Sequence, residues 1–494
     1  MTRNQIVILT ITLAYLAFNA VAGIIYGRNA EKKSGLSREK KFFIGSRGLG
    51  GFVLAMTTIA TYTSVSSFLS GPGAAGMTFG YAQVWIAAVQ VPVVFLILGV
   101  LGNKMAIVGR RTGAVSVAGY LKARYKSDFL VIATSILMVA FIIAQMISQF
   151  KGGATLIESI TGIPFKWALI IFAATVIVYT SFGGFSAVAI TDAIQGIVMM
   201  AGTFLLVFFV LKAGGGLGGI DTGLKKNLPG VYDNMWAKYK PGTLVSFWIL
   251  VGFGTLGLPQ TAVRALGFSS TKSLKKAMVI GTVTCSFILV GMHLAGCWAG
   301  ALADKSMVKT SDYFIPFVVQ SIMPVGLAGI FLAAPMAAVM STVDSLLLLA
   351  AVAILKDLYK TYIVKNDEKK LEAYEKKFKI SSALIILATG AVVVFFTLHA
   401  TKIIFFLNLF AFGGLECSFF WPLVGGLFWK KGTKEAALAS SLGAVAVYIL
   451  CHYFVHVAGI NAVVWGLLAG GIIYFATGFM QNKQIDSDIL EKCF

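Results

Sequence analysis

Gly50-Gly51-Phe52-Val53-Leu54-Ala55-Met56-Thr57-Thr58-Ile59-Ala60-Thr61-Tyr62-Thr63-Ser64-Val65-Ser66-Ser67-Phe68-Leu69-Ser70-Gly71-Pro72-Gly73 is apolar enough to lie in hydrocarbon, yet it is dense in hydroxyls and ends in a helix breaker. Hydroxyls in a bilayer need a polar cavity or a neighbouring helix, because lipid supplies no hydrogen bonds. A second interrupted stretch, Val251-Gly252-Phe253-Gly254-Thr255-Leu256-Gly257-Leu258-Pro259-Gln260, sets three glycines and a proline near mid-membrane, where they weaken a helix. The two spans start roughly 195 residues apart, each at the head of a set of five apolar stretches. A matched pair of broken helices in two halves points to the midplane site of an inverted-repeat transporter. For either span alone the small residues could equally serve close packing; for the pair that reading is weaker.

Outward from these stretches the composition agrees. A chain of 494 residues that is 58% hydrophobic and only 12% charged is not a soluble protein. Its apolar runs have the length, roughly 18 to 25 residues, that a helix needs to cross about 30 Å of hydrocarbon. They are expected at 5–26, 48–75, 80–103, 128–150, 164–181, 188–213, 243–263, 277–302, 325–352, 380–399, 403–428, 435–453 and 461–480. The short alternating segments of a β-barrel are missing. The expected fold is therefore an all-α polytopic membrane protein of about 13 transmembrane helices. Its expected segments are a first helix with a basic cytoplasmic loop (1–47), a five-helix core repeat (48–213) and an external loop (214–242). A second five-helix repeat (243–428) and two peripheral helices with a cytoplasmic tail (429–494) follow. Gln5–Tyr26 reads as a span rather than a cleaved signal, since the basic run Arg28-Asn29-Ala30-Glu31-Lys32-Lys33 follows it. Lys/Glu pairs in 356–379 suggest a solvated helix extending the span before it.

The net charge of +21 would suggest nucleic acid in a soluble domain, but the basic residues fall in alternate loops. Thirty of the 41 lysines and arginines lie on one side if the N-terminus is outside. The positive-inside rule then places the N-terminus outside and the C-terminus in the cytoplasm of a cell-membrane protein. Nucleic-acid binding is excluded, no obligate protein partner is expected, and the lipid bilayer is the main surroundings. The five cysteines have no metal-ligand spacing. No Walker sequence is present, so a gradient must supply the energy. An embedded enzyme would need a catalytic constellation, which the isolated carboxylates and histidines do not form, and two broken helices suit alternating access better than a continuous channel.

In the ninth span, Ala338, Ser341, Thr342 and Ser345 share one helix face, with Asp344 at its edge. Hydroxyls and free carbonyls are hard oxygen ligands of the kind an alkali cation accepts and releases. The same hydroxyls also suit bonds back to the preceding turn, and both readings stay open. Intramembrane ionisable groups are costly, so each calls for a reason. Asp192 reads as a helix N-cap or as a cation ligand or gate partner; Asp344 as a ligand, a partner for a cation or an interfacial residue. Glu416 is either protonated and structural or part of the transport path, and His293 reads as a packed neutral ring before a proton carrier.

Gly45-Ser46-Arg47-Gly48-Leu49-Gly50-Gly51, Tyr179-Thr180-Ser181-Phe182-Gly183-Gly184-Phe185 with Asp192 and Gln195, and Met340-Ser341-Thr342 with Lys356-Asp357-Leu358-Tyr359 together resemble the sodium/solute symporters. That family includes proline, sialic acid, sodium/glucose and pantothenate carriers. The resemblance covers nearly the whole chain and implies a LeuT-like five-plus-five inverted-repeat core. It also implies a sodium site made by Ala60, Thr63, Ala338, Ser341 and Thr342. A second sodium or a gate would involve Asp192, Ser341, Thr342 and Ser345, but Asp344 stands where such members have a serine. Proline carriers have an aspartate where this chain has Tyr62, and aromatic solute contacts where it has Val251 and Thr255; both departures argue against proline.

Within the family, Ser66 to Ala75, Gly257 to Arg264, Gly291 to Gly296, Phe331 to Ala338 and Asn408 to Glu416 look most like the pantothenate carriers. Pantothenate is thus the expected solute and Na+ the coupling ion, with no cofactor. Another small solute, such as an amino acid or a monocarboxylate, is the alternative. Pantothenate's carboxylate, two hydroxyls and amide call for donors without a full buried charge. The broken helix at Ser64, Ser66 and Ser67 would present backbone N–H groups and a positive dipole end. Thr255 and Gln260 across the cavity, and Gln145 and Gln149 on the fourth span, are expected either to bond the solute or to pack between helices.

Overall fold

The computed structural model describes residues 2–33, 49–229, 239–303, 305–365, 367–455, 459–481 and 485–494. Most of the expected basic loop after the first helix, the Gly45–Gly48 part of the family motif, residues 230–238 of the expected external loop, and Lys483 lie outside that set. Among the described residues the chain is helical and has no strand, with a single isolated bridge between Leu49 and Phe268. Ten helices are long and apolar enough to cross a membrane, and the bent pair Pro241–Gly257 and Pro259–Leu266 makes an eleventh. Two shorter apolar helices, Gly51–Tyr62 and Phe165–Val178, fall where the remaining two expected spans begin.

The hydroxyl-rich span breaks at Ser64, where its carbonyls and hydroxyls are expected to be freed, ahead of the Gly71-Pro72-Gly73 breaker. A helix over Gly51–Tyr62 stops at Thr63 (φ −75°, ψ 109°) and Ser64 (φ −100°, ψ 175°), both extended, and resumes at Val65. Pro72 is accommodated near the start of the later turn Ser70–Ala74, where a missing N–H costs little. Its partner, here called the kinked helix, runs over Pro241–Val251 and turns at Gly252 (φ −112°, ψ −94°). A 3₁₀ turn over Phe253–Gly257 follows, and the chain bends by 48° before Pro259.

Val325–Ala351, the central helix, packs against the broken helix. Of its most apolar window, 94% is buried in protein, against 33% for Glu368–Leu398, which must therefore face lipid. Close approach to the broken helix is built into the glycines. A Cβ on Gly73 would fall 1.9 Å from Ser311 O, at the start of the short helix Ser311–Ile322, and one on Gly76 would fall 2.3 Å from Phe314 Cε1.

Three expectations are corrected. Residues 356–379 are not one extension of the ninth span. A π-helical segment continues the central helix to Val364, Lys365 (φ 53°) ends it, and Asp367 caps a new helix by accepting from Lys370 N at 3.2 Å. The Lys/Glu-rich turns thus open the following span, because an Asp cap outweighs continuity across a left-handed residue. The expected break between 164–181 and 188–213 is absent. Helix is continuous from Phe165 to Ala213, joining the apolar stretch Phe165–Val178 to the span Ala187–Ala213. The expected loop 214–242 contains a helix, Gly216–Asn227, entered through Gly215 and Gly216 at φ 70° and 79°.

Candidate ion and solute sites

Where the broken helix stops, its carbonyls lose their helical donors and need others. The central helix supplies them. Ser341 Oγ donates to Ala60 O at 2.8 Å and lies 3.2 Å from Ala338 O. Thr342 Oγ1 sits 3.4 Å from Thr63 O and 2.9 Å from Ala338 O. All five residues named from the sequence for sodium therefore meet in one place, fully buried, and Thr63 Oγ1 there has no hydrogen-bond partner. Three carbonyls and two hydroxyls, with no net charge, form an oxygen set suited to a hard monovalent cation.

One turn further along, Asp192 meets a residue that the sequence reading counted as a loop charge. Arg264 is 1% exposed, and its Nη2 lies 3.2 Å from Asp192 Oδ2 and 2.6 Å from Thr61 Oγ1, with a further hydrogen bond to Ser345. Thr57 Oγ1 donates to the same Asp192 oxygen at 2.6 Å, and Thr61 and Ser345 are 3.1 Å apart. The guanidinium also lies over the Phe185 ring, 4.9 Å from its centroid. Asp344 accepts from Thr180 Oγ1 at 2.6 Å. Arg264 could have been noticed: it follows Pro259-Gln260 at helical spacing inside an otherwise apolar run.

Beyond the break, a cleft is lined by Ser64, Ser66, Ser67 and Val251, as expected, together with Tyr62, Gln90, His293 and Asn408. Apolar walls come from Ile86, Phe405, Leu409 and Phe412. Among the described residues no lysine, arginine, aspartate or glutamate lines it. Tyr62 OH bridges the two broken helices, reaching Gln90 Oε1 at 2.9 Å and Val251 O at 2.8 Å. The other expected solute residues stand behind this wall. Gln149 Oε1 accepts from Val65 N at 3.1 Å, so it holds the restart of the broken helix, and its Nε2 reaches Asn408 Oδ1 at 3.3 Å. Gln260 Nε2 bonds Gln145 Oε1 at 3.3 Å, and Thr255 Oγ1 turns back to Gly252 O at 2.5 Å to satisfy the kink. Tyr62, Gln90 and Asn408 were not assigned to the solute from sequence, although Tyr62 lies inside the hydroxyl stretch. Glu416 is fully buried on Ile404–Phe420 against the kink, since a Cβ on Gly254 would lie 2.3 Å from its Oε2.

Two interrupted helices, one of them bound to a buried helix at an uncharged oxygen cluster with a cleft beside it, define a secondary transporter. A profile of the sodium:solute symporter family matches residues 42–443, and the chain belongs to that family. It is 40% identical over 461 residues to the sodium/pantothenate symporter of Haemophilus influenzae, covering 91% of this chain and 92% of that one. Identity to the sodium/pantothenate symporter of Escherichia coli is 39% over 456 residues, covering 91% and 93%. The osmoregulated proline transporter OpuE of Bacillus subtilis is 28% identical, covering 87% and 86%. Among solved structures, a substrate-bound, outward-open Na+-coupled sialic acid symporter superposes with a TM-score of 0.79 at 18% identity, over 97% of this chain and 99% of that one. Mhp1, a nucleobase-cation-symport-1 family transporter in a closed conformation, gives 0.60 at 16% identity, over 90% and 96%. These confirm the LeuT-like helical fold. The family's members are transporters, not enzymes.

Proposed function

We propose that this chain imports pantothenate together with sodium by alternating access. The observation that carries the reading is the meeting of Ala60 O, Thr63 O, Ala338 O, Ser341 Oγ and Thr342 Oγ1 across the break. Sodium at this cluster replaces the hydroxyl-to-carbonyl bonds and ties the broken helix to the central helix. That stiffens the wall on which Ser64, Ser66 and Ser67 face the cleft, so sodium tightens solute and, by linkage, solute tightens sodium. Rocking of one helix bundle against the other then opens the site to the far side. The Asp192–Arg264 pair, held by Thr57, Thr61 and Ser345, serves as a gate that must part on that side.

Pantothenate is supported by the two relatives near 40% identity and by a cleft with hydroxyls, amides and an imidazole but no full charge. The protein resides in the cell (inner) membrane, with its N-terminus outside and its C-terminus in the cytoplasm, as the loop charges require. The test is uptake of labelled pantothenate into proteoliposomes with and without an inward sodium gradient, with proline and a monocarboxylate as comparators. Sodium-driven accumulation of pantothenate alone is expected. Accumulation of a comparator instead would overturn the solute, and uptake indifferent to sodium would overturn the coupling.

A further inference from the structure

We propose that His293 is a specificity residue that accepts a hydrogen bond, through Nε2, from one of the two hydroxyls of the solute; this rests on the pantothenate reading above.

The argument begins with the ring's other nitrogen. His293 lies on the helix Thr271–Ala299, and its Nδ1 is 2.8 Å from Leu289 O one turn earlier. A carbonyl oxygen can only accept, so in the neutral ring Nδ1 carries the proton and Nε2 is left as an acceptor. The backbone thereby fixes the tautomer. An imidazole so held offers nothing to a carboxylate but a good partner to a hydroxyl or amide N–H.

Position supports the same conclusion. The ring lines the cleft, and a Cβ added at Gly71 would stand 2.4 Å from Nε2. Only glycine at position 71 lets the ring edge reach the broken helix, so the Gly71-Pro72-Gly73 element that did not cause the helix break makes room for the imidazole.

The remaining polar wall is largely spoken for. Tyr62 OH is held by Gln90 Oε1 and Val251 O, and Gln90 Nε2 reaches Ile86 O at 3.3 Å. Asn408 contacts Gln149 through Oδ1 and Ser66 through Nδ2, while Ser64 and Ser66 pair with each other at 2.6 Å. Among the described residues no protein group hydrogen-bonds His293 Nε2. A lining acceptor without a partner in the protein rejects any solute that brings no donor to it, because both groups would then be desolvated for nothing.

The experiment is displacement of labelled pantothenate from the purified full-length protein in sodium by pantothenate and by its two mono-deoxy analogues, each lacking one hydroxyl. In the wild type one analogue is expected to bind roughly 5- to 150-fold more weakly than pantothenate, the range for a buried hydrogen bond left unmade. H293A should weaken pantothenate to about the level of that analogue and bind the two alike. H293N, whose amide can keep the bond to Leu289 O while removing Nε2, should behave as H293A does, and H293Q, which restores an acceptor, should recover discrimination. Wild-type-like discrimination by H293A or H293N, or a wild type that distinguishes neither analogue, would overturn the role of His293. A wild type that binds no pantothenate would overturn the solute reading and this inference with it, whereas loss of discrimination alone leaves that reading standing.

Discussion

At Asp192 the residue scale decides what the local chemistry is. The carboxylate is fully buried and one oxygen is shared between Thr57 and Arg264, while its Oδ1 has no hydrogen-bond partner. Removing the guanidinium would strand that charge. Arg264→Ala is expected to destabilise the folded protein by about 3–5 kcal/mol, the cost of breaking a buried pair, with partial recovery when Asp192→Asn is added. Thermal unfolding of the purified protein in detergent checks this, and an R264A protein as stable as wild type would refute the pairing. At the oxygen cluster, Ser341→Ala removes one hydroxyl and leaves the carbonyls. Half-maximal uptake should then need on the order of tenfold more sodium, about 1.4 kcal/mol for one lost ligand, and the Ser341→Ala, Thr342→Ala pair should abolish sodium dependence. An unchanged sodium requirement in the double variant would remove the site from this place.

Elements convert those residues into geometry. The first turn of Ser311–Ile322 sits on the broken helix through Gly73, and the atom a Cβ would meet is backbone, which cannot swing away. Gly73→Ala should therefore push the two elements apart. Cysteine-reagent access to a Ser67→Cys reporter is expected to rise in that background, and equal labelling in both backgrounds would show that the contact seals nothing. At the C-terminal tail, Lys126 holds the short helix Ser487–Cys493 through Asp486 at 2.5 Å and Asp488 at 3.2 Å. The hydrogen bond from Lys126 lowers the Asp486 carboxyl below its ordinary value; Lys492 first, then Lys126, does so for Asp488. Carboxylates lowered on folding stabilise the docked helix above their ordinary pKa and lose that contribution as pH falls through the lowered value. Amide protection in 487–493, taken relative to the intrinsic exchange rate at each pH, should fall under acid and be flat around neutrality; the reverse trend would contradict the docking.

On the scale of the whole molecule, charge bookkeeping gives a prediction that no single contact makes. The second candidate cation position, around Asp192 and Ser345, is filled by a tethered guanidinium, so one sodium is expected to travel with one monoanionic pantothenate. The transported complex then carries no net charge, and uptake into proteoliposomes should be insensitive to an imposed membrane potential. Stimulation by an inside-negative potential would mean that a second cation moves and that Arg264 must leave Asp192 during the cycle. The same scale explains why the central helix is nearly enclosed while Glu368–Leu398 faces lipid: the central helix carries hydroxyls and a carboxylate that must be kept out of hydrocarbon.

Much of this was legible in the sequence because a bilayer leaves so few choices. Apolar runs of sufficient length must be helices, basic loops must sort to one side, and hydroxyls with glycine and proline inside such runs mark broken spans and ion ligands. Periodicity puts Ala338, Ser341 and Thr342 on one helix face and the family resemblance adds Ala60 and Thr63; the structure brings all five together. What lay beyond reach depended on contacts far apart in the chain. Nothing local in Asp192 says that Arg264, 72 residues away, lies against it, nor does the His293 segment say that Leu289 fixes its tautomer or that Gly71 makes its slot. Gln145, Gln149, Thr255 and Gln260 show the converse: the same polar side chains suit a solute or a helix break, and only tertiary packing puts Gln149 on Val65 N, Thr255 on Gly252 O and Gln260 on Gln145, with Gln145 Nε2 and Gln260 Oε1 left without a partner among the described residues. Sequence determined the spans, the breaks and the oxygen donors, because lipid acts on each residue locally; the tertiary structure alone decided which buried polar groups pair, because pairing depends on distance in space.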